Sequence, residues 1–100
     1  MIPKEIDQAM WEVLDQISDE TGHIFLDDNY ILKYEGWSSS CFPPRLPENF
    51  FVSYAIRQSP KIHKDWNTEM TKRGYKPILI GHDENLALYG VTYALYKRVK

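Results

Sequence analysis

Cysteine is all but missing from this chain of 100 residues, where Cys41 stands alone. One thiol cannot close an internal disulfide or supply the paired thiolates of a structural zinc site, so the sequence fits a reducing compartment, most simply the cytoplasm. No apolar run approaches the roughly 20 residues that a membrane-spanning helix needs. The opening MIPKEIDQAMWEVLDQ carries acids where a secretion signal would be apolar. The five glycines form no G-x-G or G-K-[ST] pattern, which removes the usual phosphate cradles. The three histidines, His23, His63 and His82, are too far apart to share one helical turn as metal ligands. No cofactor and no metal are expected.

Basic residues are scarce early and plentiful late. Residues 1–35 hold nine acids against Lys4 and Lys33, net −7, while residues 36–100 hold ten bases and five acids, net +5. The whole chain is therefore close to neutral, at −2, which argues against nucleic acid as a partner. The polarity along the chain points instead to an acidic face open to a cationic partner, unless the two parts neutralise each other within the fold.

The pattern reads as one α+β domain spanning residues 1–100. Lys4 to Thr21 is predicted as a helix. Ile6, Met10, Val13, Leu14 and Ile17 share one face, Glu5, Glu12, Asp15 and Asp19 the other, and Gly22 is a natural stop. His23–Leu26 and Tyr30–Glu35 read as a hairpin closed by Asp27, Asp28 and Asn29. EGWSSSCFPPRLPENFF follows, with Pro43, Pro44 and Pro47 excluding helix and central strand alike. FFVSYAIR, Phe50–Arg57, is apolar at both alternating sets and is predicted as a central strand. Ser59-Pro60 then supplies the N-cap and first position of a second helix running to Arg73, with Gly74 as its end.

Tyr75–Gly81 reads as a strand pushed toward a sheet edge by Pro77, and HDEN as a turn. Leu86–Val99 fits a strand through Tyr89, Val91, Tyr93 and Leu95 and a helix through Leu86, Tyr89, Tyr93 and Tyr96; Gly90 before Val91 and Thr92 favours a last strand with a bulge at Gly90. The expected order is α-β-β-β-α-β-β, a two-layer sandwich of a mostly antiparallel sheet with two helices on one face. The expected core is Ile6, Met10, Leu14, Ile17, Phe25, Leu32, Val52, Tyr54, Ile56, Trp66, Met70, Ile78, Ile80, Val91 and Leu95.

Candidate chemistry is thin. Cys41 sits on an extended proline-bound loop with no local base, so it reads as a packed thiol; the enzyme alternative is a hydrolase using Cys41 or His63. His82, Asp83 and Glu84 are ligand types, but consecutive turn residues point in different directions. Lys61, Lys64, Lys72, Lys97, Arg98 and Lys100, with Tyr93 and Tyr96 nearby, carry a nucleic-acid alternative in which rings stack on bases. The α-β-β-β-α part of that order is similar to double-stranded RNA-binding domains. Glu5, Glu12, Asp15 and Asp19 are the candidate docking face for a protein with a basic surface. Trp37 and Phe42, with Arg45 beside them, are the candidate anchors on a stiff loop.

In element order and acidic beginning the chain resembles type III secretion chaperones, a likeness that implies a small adaptor and a homodimer. In size it resembles small phage and mobile-element proteins that inhibit a host protein by binding it. The expected function is a non-enzymatic protein–protein contact, as an inhibitor or accessory protein, with no membrane involved.

Overall fold

A computed structural model describes residues 2–37 and 47–99. Among the described residues six elements follow one another: α1 (Lys4–Leu14), β1 (Thr21–Phe25), β2 (Tyr30–Gly36), α2 (Glu48–Lys72), β3 (Tyr75–Asp83) and β4 (Val91–Arg98). The four strands make one sheet in the order β1-β2-β4-β3, every neighbour antiparallel. The α+β class, the antiparallel sheet and the two helices are as the sequence predicts. The observed order, α-β-β-α-β-β, is one strand shorter.

The missing strand is helix. Phe50–Arg57 is the first third of α2, whose 25 residues run through Pro60. Phe51, Ala55, Ser59, His63 and Met70 are its buried residues. The first four are spaced by four and Met70 follows seven on, the helical intervals at which side chains share one face. Ser59-Pro60 is therefore not a helix start. Pro60 is exposed and Ile56, whose carbonyl loses its partner to the proline, is 43% exposed, so water can take that bond.

α1 ends at Leu14, about two turns short of the predicted end at Thr21. Gln16 N–H bonds the Val13 carbonyl at 3.0 Å and Ile17 N–H the Leu14 carbonyl at 3.2 Å, a tightened last turn that still buries Ile17. Ser18, Asp19 and Thr21 are weak helix formers and the chain enters β1 instead. Gly36, at the end of β2, lets the connecting segment pass close: a Cβ there would lie 2.1 Å from the Ser18 carbonyl oxygen.

The helices lie on opposite faces of the sheet, not on one. Tyr30 and Leu32 of β2 and Val91, Tyr93 and Leu95 of β4 pack with Ile6, Met10, Leu14 and Ile17 of the α1 segment. The alternate residues Ile31, Ala94 and Tyr96 pack with Met70 of α2. Every residue from Val91 to Tyr96 is buried, so β4 has no solvent face and needs cover on both sides. A third cluster joins Trp37, Phe51, Ala55 and Tyr89. Truncating Leu14, Leu32 or Leu95, all fully buried, would cost about 2–5 kcal/mol.

Other core expectations also shift. Phe25, Ile56 and Ile80 are exposed at 54, 43 and 48%, and Val52, Tyr54, Trp66 and Ile78 are only partly buried. β3 is an edge strand, as Pro77 suggests, with a register shift between Pro77 and Leu79.

Candidate protein-binding surface

The outer side of α1 and its continuation carry the acids. Between Lys4 and Lys33 the chain has eight carboxylates and no lysine or arginine, and all eight side chains are exposed. The first turn of α1 holds Glu5 and Asp7, where the helix dipole favours them. Its last turn holds Glu12, with Asp15 as C-cap and no base, so two carboxylates sit at the negative end of the dipole. Asp19 lies beyond the helix, on the segment leading into β1. Among the described residues no lysine or arginine pairs with Glu5, Glu12, Asp15 or Asp19; Glu12 has only a 3.4 Å contact from the Gln8 amide.

Beside this face lies a groove of about 490 Å³ between α1 and β1. Ala9, Val13, Ile17 and Ile24 give it an apolar floor, and Glu12 and Glu20 are among its acidic walls. Ile24 is 42% exposed, next to the exposed Phe25. Sequence reasoning placed Phe25 in the core and passed over Ile24 and Glu20. The available signal was TGHIF itself, whose adjacent Ile24 and Phe25 leave an apolar side chain on each face of an edge strand.

Of the two expected aromatic anchors, Trp37 does not join this surface. Trp37 is buried, its indole N–H donating to Thr92 Oγ1 at 3.2 Å. A ring held in the core cannot dock a partner. Phe42 and Arg45, like Cys41 and most of the proline loop, lie outside the described residues.

Nor do the tyrosines of the nucleic-acid alternative form a platform. Tyr93 and Tyr96 are buried, and the Tyr96 hydroxyl donates to Asn67 Oδ1 at 2.6 Å. Burial, with Glu69 nearby, pushes its pKa up to about 12. Lys97 lies over the Tyr30 ring and Arg98 over Tyr75.

The histidines are tied into the interior. His63, buried on α2, donates from Nε2 to the Tyr93 carbonyl at 2.9 Å, and its Nδ1 faces Ser59 Oγ at 3.4 Å. Ser59 is itself buried, so that hydroxyl faces packed side chains. His82 Nδ1 bonds Thr92 Oγ1 at 2.9 Å, and its buried Nε2 has no partner among the described residues. Burial lowers the His82 pKa, against the opposing pull of Asp83 and Glu84. Gly90, at φ +112°, packs against this ring; a Cβ there would lie 2.6 Å from Nε2. Asp83 Oδ1 accepts from the Asn85 N–H at 2.9 Å and so serves the turn. Among the described residues no three His, Cys, Asp or Glu side chains gather as a metal ion requires, and no helix is long and apolar enough to cross a membrane.

No family model, curated protein or solved structure matches this chain.

Proposed function

We propose that the protein is a small binding module that works through contact with the cationic surface of another protein, as an inhibitor or accessory factor, without chemistry of its own. The observation that carries this reading is the placement of Glu12 and Asp15. Both are exposed, neither meets a lysine or arginine among the described residues, and both stand at the end of α1 where a carboxylate is disfavoured by the helix dipole. Charges that oppose local stability and neutralise nothing in the fold are suited to long-range steering of a partner. The adjoining groove supplies apolar surface that a polar face alone would lack.

Capture from cell extract by the immobilised protein, compared with the Glu12→Lys/Asp15→Lys variant and read by mass spectrometry, tests this. Partners retained by the parent chain should be released as salt rises and should be lost with the variant. Equal retention by both chains overturns the role of the acidic face.

A further inference from the structure

The two edges of the sheet are built differently. β3 carries Lys76, Pro77 and a register shift, the usual means by which an edge is made unfit for pairing. β1 at the other edge, TGHIF, has none of them. Leu26 N–H bonds the Tyr30 carbonyl and Gly36 N–H the Glu20 carbonyl. In an antiparallel ladder bonded pairs alternate with non-bonded ones, so the even-numbered residues of β1 face β2. The N–H and C=O groups of Thr21, His23 and Phe25 therefore point outward from the sheet.

Ile24, directed to the α1 face, borders the groove. Acids stand at both ends of this open edge, Asp19 and Glu20 before it and Asp27 and Asp28 after it.

We infer that β1 is a docking edge to which a partner adds an extended strand, with aliphatic residues at the centre of that strand and lysine or arginine at its ends. The inference rests on the acidic-face reading above and specifies how the partner is held. Main-chain bonds to Thr21, His23 and Phe25 give affinity, the groove takes the central side chains, and the flanking acids fix the charge. A second copy of this chain fits poorly. Antiparallel self-pairing centred on His23 sets Asp19 directly opposite Asp27, twice, and like charges so placed repel.

The probe is a capped peptide with a Val-Thr-Val centre between pairs of lysines, its binding followed by calorimetry. An analogue N-methylated at each central amide keeps every charge and side chain but loses the strand donors. His23→Pro removes an outward donor that the β1–β2 ladder does not use, and Thr21→Pro does the same should His23→Pro fail to fold by circular dichroism. Strand addition requires that N-methylation and the proline variant each weaken binding by about tenfold or more. If Glu12→Lys/Asp15→Lys weakens binding while N-methylation and proline do not, strand addition is overturned and the acidic reading stands. Binding of the peptide that ignores all three changes, or no binding, overturns both. A parent chain that sediments as a dimer, and a His23→Pro variant that sediments as a monomer, would assign the edge to a second copy and overturn the cationic segment.

Discussion

The His82 ring has one nitrogen bonded to Thr92 and one buried without a partner among the described residues. Protonation would place a charge where burial already disfavours it, so the folded ring holds its proton only at a pH below its ordinary 6.5. Between the two values the unfolded chain binds more protons than the folded one. The contribution is fully present above the unfolded value and is lost as pH falls through that window. Glu35, half-buried, has a raised pKa and acts with the opposite sign, in a window reaching upward from 4.5. The melting temperature should therefore fall as pH is lowered from about 7.5 to about 5.5. His82→Asn can keep a bond to Thr92 and cannot titrate, and it should show a smaller fall. Identical slopes in the two proteins would place the pH response elsewhere.

At the scale of elements, α2 is where local signals and tertiary demand part company. A proline inside a helix costs about 3 kcal/mol relative to alanine, offset by about 0.4–1 kcal/mol of entropy it removes from the unfolded chain. Pro60 is exposed, so Pro60→Ala should stabilise by about 2–2.6 kcal/mol in urea unfolding. Destabilisation would instead mean that the interruption fits the two ends of α2 to two clusters, Phe51 and Ala55 on one and Met70 on the other.

The same proline explains what sequence reading could and could not see. Leu86–Val99 fits strand and helix periods alike and reads as strand only through Gly90, Val91 and Thr92; α1 and the hairpin were legible, α1 because its apolar residues keep one period as far as Ile17 and the hairpin because Asp27, Asp28 and Asn29 mark its turn. The first half of α2 was not, because Ser59-Pro60 is a strong start signal and Phe50, Phe51 and Val52 satisfy strand and helix periods alike. The two-sided burial of β2 was written in the neighbouring Ile31 and Leu32, but only as a pair. The exposure of Glu5 and Glu12 was legible, since exposure on a helix follows its period; Asp15 and Asp19, also exposed, lie past the last residue of α1. The open edge was not, since it depends on β4 pairing between β2 and β3, a long-range choice that no local pattern encodes.

For the whole molecule, the question is which charges hold the fold together and which are free for a partner. Lys33 holds the fold: its side chain is only 13% exposed, 3.7 Å from Glu69 and over the Trp66 ring. Glu69 also takes Arg73 at 3.0 Å. These contacts lie on the α2 face, and none reaches the carboxylates of α1. Reversing Glu12 and Asp15 to lysine should therefore do no harm to folding. It places cations at the negative end of the α1 dipole and thins a like-charged cluster, so stability should hold or rise by up to about 1 kcal/mol in urea. Lys33→Ala, by contrast, should lower it, because it strips packing from Trp66 as well as a charge from Glu69. This pair of measurements separates stability from recognition at the face where the partner is proposed to dock. A variant that stays folded and stable yet captures no partner has lost only the interaction. If reversing Glu12 and Asp15 cost more than about 1 kcal/mol, beyond the usual range for exposed substitutions, those acids would belong to the architecture. Their exposure would then be no argument for a partner.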